Sequence, residues 1–278
     1  MSVTESEGAA GERYEGKVRD EALRQQAATG KTFTVRINRG DQGDQKGHWE
    51  DFQLDLVSGM VVLDAVLQVQ SKQAPDLAVR WNCKAAKCGS CSAEVNGRPR
   101  LMCKTRLEDY DLSQPVAIQP MQTFPRIKDL VTDVSWNYRV NEKITPFKPR
   151  TDREWKWYQH DVDKAQEMRK CIECFLCQDV CHVMRYQTVD KPQFFGPRYF
   201  VRSAGLDFHP MDAEDRAGQL MDEGGLGLCN ITKCCTEVCP EHIHITDNAI
   251  IPEKERAVDA FADPLRALWR RLFGRKKS

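Results

Sequence analysis

The sequence predicts an α+β protein in which a small strand-rich unit precedes a helical one. Three features predict it. Residues 31–120 alternate apolar and polar side chains with period two, the texture after Pro149 turns helical, and the cysteines fall into three groups, Cys83 to Cys103, Cys171 to Cys181 and Cys229 to Cys239. A chain of 278 residues has room for two such units.

Each element carries its own signal. Residues 1–29 are polar and include Glu5, Glu7, Glu12, Glu15, Asp20 and Glu21. They lack the apolar stretch of a secretory signal and the acid-poor make-up of a transit peptide, so they read as a flexible N-terminal arm. Phe33, Val35 and Ile37 mark one strand and Phe52, Leu54 and Leu56 a second, with Asp41-Gln42-Gly43-Asp44 as the loop between them. Met60 to Gln70 reads as a helix, with Val62, Val66 and Val69 on one face and Leu63 and Leu67 beside it. Ala93 and Val95 lead into an Asn96-Gly97 turn, and Val116 and Ile118 suggest a closing strand. Residues 121–147 read as a connector, so the first domain with its connector spans 30–145. In the helical domain, 146–258, Thr151-Asp152-Arg153-Glu154 has the spacing of a capping box. Trp155, Tyr158, Val162, Ala165 and Met168 then follow at helical intervals, and a further helix is expected from Asp212 to Met221, stopped by Gly224-Gly225. The last residues, 259–278, form a basic tail. From Pro264 onward it has six Lys or Arg, no acid, and Leu265, Leu268, Trp269, Leu272 and Phe273 on one helical face. That pattern suits a membrane surface, with docking on a partner protein as the alternative.

Composition narrows the function. Lys plus Arg and Asp plus Glu both total 41, so the net charge is zero. Nucleic-acid binding by bulk charge needs a cationic surplus. The mean hydropathy is −0.59, and no apolar run approaches the ~18 residues of a membrane span. Twelve cysteines in a chain with no visible secretory signal point to a reducing compartment, where clustered thiols bind metal or carry out redox chemistry.

The spacing of those thiols is specific. Cys83, Cys88 and Cys91, followed by Cys103, have the plant-type arrangement for a [2Fe–2S] cluster. Gly89 lets the loop backbone approach the irons, with two thiolates to each. A structural zinc site is the alternative, although zinc motifs more often pair two separate knuckles. Cys171, Cys174, Cys177 and Cys181 repeat the bacterial ferredoxin run, with His182 in place of the usual proline. In two-cluster ferredoxins the fourth cysteine of such a run crosses to the other cluster. The third run, Cys229, Cys235 and Cys239-Pro240, keeps that spacing but has Thr232 at the second cysteine position. A cubane corner without a thiolate holds its iron weakly. The expected sets are therefore Cys171, Cys174, Cys177 and Cys239 for a [4Fe–4S] cluster, and Cys181, Cys229 and Cys235 for a [3Fe–4S] cluster. Cys234 is left over, as a small packed residue or an alternative ligand.

In this order and at these spacings the cysteine runs resemble the iron–sulfur subunits of succinate dehydrogenase and fumarate reductase. The stretch Ile127-Lys128-Asp129-Leu130-Val131-Thr132-Asp133 also resembles that family's connector, and the likeness covers residue 31 to about residue 255. The resemblance implies a β-grasp, plant-type ferredoxin-like domain followed by an all-α bacterial-ferredoxin-like domain. It implies no catalytic residue in this chain. A flavoprotein partner carrying FAD would interconvert succinate and fumarate, and a membrane anchor would bind quinone. The chain would then sit peripherally on the cytoplasmic face of a prokaryotic inner membrane. Around the expected quinone the sequence departs from the family. Ubiquinone-using members have proline and two tryptophans where this chain has His182, Arg185 and Tyr186, and histidine where it has Asn230. These four residues read as a rebuilt quinone-proximal site favouring menaquinone. His182 is a proton-relay candidate, and Arg185 a donor to a quinone carbonyl or lipid headgroup, with plain interface packing as the alternative for both. Two other readings compete for the whole chain. One is a zinc-stabilised scaffold. The other is an iron–sulfur subunit of a glycolate-oxidase-type or heterodisulfide-reductase-type complex, against which the gap at Thr232 and the plant-type domain both count.

Overall fold

A computed structural model describes residues 28–44, 46–186, 193–262 and 264. The arm over 1–27 and the basic tail over 265–278 lie outside the described residues. The first domain is built on a sheet with strand order β2-β1-β5-β3-β4. Strands β1 (Ala28–Arg39) and β2 (His48–Val57) pair antiparallel, placing Phe33 opposite Leu54 and Val35 opposite Phe52. The alternation expected from the sequence thus puts one apolar face inward. Helix α1 (Val62–Lys72) lies against that face through Val62, Leu63, Ala65, Val66 and Val69, and the Asp64 side chain accepts the Val61 N–H at its start. Strands β3 (Ser92–Val95) and β4 (Arg98–Leu101) form a hairpin whose turn residues, Asn96 and Gly97, both have positive φ, the geometry of a type I′ turn. The strand expected to close the sheet, β5 (Val116–Gln119), lies in its middle. It runs parallel to β1 and antiparallel to β3. Val116 and Ile118 are fully buried there, which an edge position would not achieve.

The connector holds a short ladder, β6 (Arg126–Lys128) with β7 (Val131–Thr132), and helix α2 (Ser135–Asn141). The helical domain follows with α3 (Gln159–Arg169), α4 (Leu176–Val180), α5 (His182–Tyr186), α6 (Pro197–Asp207), α7 (Ala217–Asp222), α8 (Cys234–Glu237), a π-helical turn over Ile245–Ile250, and α9 (Ile251–Ala262). Phe194, Tyr199, Phe200, Leu220, Ile245 and Ala249 form its core.

Two expected helix starts are corrected. Residues 151–158 are not helical, and α3 begins at Gln159. The chain just before them is held in a two-stranded contact, with Arg150 N–H donating to the Met211 carbonyl and Ala213 N–H to the Lys148 carbonyl. Trp157 then packs on His209, ring centroids 5.7 Å apart. Tertiary contacts therefore override the local capping signal. Likewise α7 begins at Ala217 and not at Asp212. The Asp212 carboxylate accepts from the Lys148 and Glu214 amides and from Arg216. Arg216 is fully buried. It pairs with Asp207 at 2.6 Å and Asp212 at 2.9 Å, and donates to the carbonyls of Thr145 and Pro146, pinning the end of the connector to the helical domain.

The two domains share a core. Cys174 and Leu176 of the helical domain pack into the apolar cluster of the first, beside Cys91, Ala93 and Leu101.

Candidate metal centres

The Cys83–Cys91 loop folds back on itself because Lys84, Ala86 and Gly89 all take positive φ. That turns successive amides toward sulfur. Ala85 and Lys87 donate to Cys83 Sγ at 3.3 Å, Ala86 to Cys103 Sγ at 3.3 Å, and Cys83 to Cys88 Sγ at 3.5 Å. Left-handed backbone at an L-residue costs roughly 1–2 kcal/mol each, so such a loop is kept for what its N–H groups do. Here they stabilise negative charge on sulfur. Burial pushes the Cys88 thiol up, but hydrogen bonds from the Ser90 side chain and the Cys83 and Ser90 amides outweigh it and bring it down to about 6. Burial raises its neighbour Cys91 to about 12.

The second centre is a small pocket within the helical domain. Cys171, Cys174, Cys177 and Cys239 all line it, so the fourth cysteine of the third run faces the first three of the second. Burial drives the Cys171, Cys174 and Cys177 thiols upward, Cys174 to about 12 and Cys177 well above its ordinary value. As bare thiols these three stay protonated at neutral pH. A set of buried thiolates needs metal cations to balance it, and the donor set fits an iron–sulfur cage on that ground. Ile243 N–H donates to Cys239 Sγ at 3.4 Å.

The third group is built like the second. Glu173 and Phe175 have φ of 57° and 61°; Ile231 and Lys233, at the same offsets from the first cysteine, have 61° and 63°. Helices α4 and α8 then start at equivalent residues, Leu176 and Cys234. Thr232 therefore occupies the backbone place of Cys174, with a hydroxyl where the second run has a thiol. Its Oγ1 lies 3.3 Å from the Sγ of half-buried Cys234. Cys181 and Cys235 are buried, which raises them to about 12 and about 11, and each also feels Cys234. Among the described residues no three His, Cys, Asp or Glu side chains converge on a single ion.

The centres abut. A Cβ placed on Gly89 would fall 2.7 Å from Cys174 Cα, so the loop of the first centre touches that of the second. Ser92 Oγ sits 2.8 Å from both the Gly89 and Cys174 carbonyl oxygens, fastening the contact. Cys177, Cys181 and Cys235 lie in one buried cluster with Cys229 and Cys239 packed against it, so the second and third groups adjoin.

The four residues expected near a quinone separate into two kinds. His182 and Asn230 are exposed and paired, Nε2 to Nδ2 at 2.8 Å, and Tyr186 is 94% exposed beside them on α5. Arg185 instead turns inward. Its guanidinium holds buried Glu94 of β3, and its Nε donates to the Asp179 carbonyl at 2.5 Å. It is an interdomain tie and not an open donor. Sequence reasoning missed Glu94 and Asp179, and also Arg198, a buried cation that lines the second centre. The position of Asp179 between Cys177 and Cys181 was the available signal.

The sequence matches two family models, a 2Fe-2S iron-sulfur cluster binding domain over residues 34–138 and a 4Fe-4S dicluster domain over residues 167–243. The fumarate reductase iron-sulfur subunit of Haemophilus influenzae is 32% identical over 72% of this chain and 83% of its own. The succinate dehydrogenase iron-sulfur subunit of Bacillus subtilis is 28% identical over 83% of this chain and 95% of its own. A chain of the Mycobacterium smegmatis Sdh1 complex in the apo form superposes with a TM-score of 0.80 at 54% identity, covering 84% of this chain and 98% of that one.

Proposed function

The chain belongs to the family of iron–sulfur subunits of succinate dehydrogenase and fumarate reductase, and on that premise we propose that it links a flavoprotein to a membrane quinone. It is an electron-transfer subunit with [2Fe–2S] and [4Fe–4S] binding domains in an α+β fold. When bound, clusters at Cys83/Cys88/Cys91/Cys103 ([2Fe–2S]), Cys171/Cys174/Cys177/Cys239 ([4Fe–4S]) and Cys181/Cys229/Cys235 ([3Fe–4S]) would pass single electrons between FAD on the partner and quinone at a membrane anchor. The observation that carries this reading is the contact of Gly89 with Cys174, together with the shared pocket that brings Cys239 to the second run. The chain's own residues would hold these three thiol sets in adjoining positions.

The surface around the third group supports the anchor and quinone. Leu228, Ile231 and Tyr186 are large apolar side chains left exposed there, and such patches mark interaction sites. Among the described residues no helix is long and apolar enough to cross a membrane, so membrane attachment would come through the anchor, on the cytoplasmic face of a prokaryotic inner membrane. The quinone-proximal set is then His182, Asn230 and Tyr186, with Arg185 behind them as the tie to Glu94. With the ubiquinone-type residues absent, menaquinone is the favoured acceptor or donor. The test is to purify the intact complex through this chain and measure succinate-driven reduction of ubiquinone and menaquinone analogues. Co-purification of a flavoprotein and a higher kcat/KM for the menaquinone analogue are expected. A chain that captures no flavoprotein refutes the assembly, and a clear ubiquinone preference refutes the quinone assignment.

A further inference from the structure

The second centre contains a charge that its cysteines do not account for. Arg198, in the first turn of α6, lines the pocket with Cys171, Cys174, Cys177 and Cys239 and is only 5% exposed. Its Nε has no hydrogen-bond partner. Of its terminal nitrogens, one is paired with the Glu173 carboxylate and the other stands 3.5 Å from Asn141 Oδ1. Glu173 is the residue immediately before Cys174. Its side chain is a third exposed, against 7% for that of Arg198. The two charges of this ion pair are thus unequally screened. Water reaches the carboxylate and weakens its field, while the guanidinium acts through protein of low dielectric. Within this pair the guanidinium therefore dominates at the pocket; Glu241, the other charged residue lining it, is paired with Lys87.

We infer that Arg198 is the residue that sets the potential of the [4Fe–4S] centre, raising it by holding an incompletely neutralised positive charge against the pocket, with Glu173 as its orienting and moderating partner. Adding an electron makes a four-thiolate cluster more negative, so a fixed cation favours the reduced form, and charge close to a cluster is a principal control of its potential. The middle of the three-centre relay is thereby kept from becoming a deep uphill step. Arg198 is a positioning residue in this role; it ligates nothing. The inference rests on the proposed assignment of the second centre.

The experiment is an EPR-monitored redox titration of the intact complex in wild type, Arg198→Gln, Arg198→Lys, Glu173→Gln and the double variant. The expected result has two opposite signs. Arg198→Gln lowers the [4Fe–4S] midpoint by an amount equal to about a tenfold change in the reduced-to-oxidised ratio at fixed potential, or about 59 mV for one electron. Glu173→Gln raises it, the double variant falls between, and Arg198→Lys recovers most of the wild-type value. The [2Fe–2S] midpoint stays in place throughout. A shift of the same sign in both single variants, or none in either, overturns the inference. Should Arg198→Gln fail to assemble, the exposed-side variant Glu173→Gln decides alone: a rise supports the inference, and no rise overturns it. Absence of any [4Fe–4S] signal from wild type would instead refute the assignment of the centre itself.

Discussion

The contact between the first and second centres can be opened by one methyl group. Gly89 has φ of +69°, and a Cβ there would stand 2.7 Å from Cys174 Cα and 2.9 Å from both Cys174 N and Cβ. Two of the atoms struck are backbone and the third is the Cβ fixed to it, so no side chain can swing away. Ordinary contact begins near 3.4 Å, and the loops must therefore part by roughly 0.7 Å. Gly97 supplies the control. It has a similar φ of +74° but open space where its Cβ would go. Gly97→Ala carries the conformational cost alone, about 1–2 kcal/mol. Gly89→Ala carries that cost plus the overlap, for a total on the order of 2–4 kcal/mol, in the range of overpacking changes. The assay is rapid-freeze EPR of the anaerobic complex after mixing with succinate, alongside thermal loss of cluster absorbance. In Gly89→Ala the [2Fe–2S] signal should develop normally, while reduction beyond it lags and the clusters bleach at lower temperature. Gly97→Ala should shift the bleaching temperature slightly and leave the order of reduction unchanged. If Gly89→Ala matched Gly97→Ala in both readouts, the direct loop-to-loop contact would not be the route between centres.

Three further outcomes follow from the same geometry. Thr232→Cys places a thiol where the second run has Cys174, on a loop of matching φ, and should replace the three-iron EPR signal of the oxidised complex with a diamagnetic four-iron centre; persistence of the three-iron signal would contradict the equivalence of the two loops. Arg185→Met removes the tie to buried Glu94 and Asp179. It should cost about 2 kcal/mol, below the ~3–5 kcal/mol of a fully buried pair because the guanidinium is partly exposed, and it should leave the KM for quinone unchanged; a raised KM with unchanged stability would restore Arg185 to the quinone site. Burial, then the neighbouring Asp207 carboxylate, push Glu253 up to about 8 against the pull of Arg256 and Arg216. The folded chain thus keeps a proton that the unfolded chain releases above about pH 4.5, so this stabilising contribution is complete below that pH and is lost as pH rises toward 8. Glu253→Gln should flatten the fall in denaturation midpoint between pH 5 and pH 8, and an unchanged slope would show that Glu253 is not the group responsible.

What could be read from the sequence was what repeats or alternates. The period-two strands at Phe33–Ile37 and Phe52–Leu56 and the α1 helix needed only local information, because each buries one face of its own. The cysteine spacings were legible because a cluster loop must bring sulfurs to one place within a few residues. The central position of β5 was not legible, since parallel pairing with β1 is a matter of topology. The capping-box signal at Thr151 failed because the bridge between 148–150 and 211–213 and the tilted packing of Trp157 on His209 hold that chain outside a helix. Helix α6 was missed because Phe194, Phe195, Tyr199 and Phe200 crowd apolar residues without a clean period. Arg185 illustrates the remaining limit. Sequence position put it near the third group, but only the fold shows its partner, Glu94, ninety-one residues earlier.

Low-temperature EPR of the intact complex, first as oxidised in air and then as reduced stepwise, tests the relay most directly. The expected result is a three-iron signal in the oxidised state, followed on reduction by separate two-iron and four-iron signals from the same chain. A colourless, zinc-containing chain, or a second four-iron centre in place of the three-iron one, would contradict it.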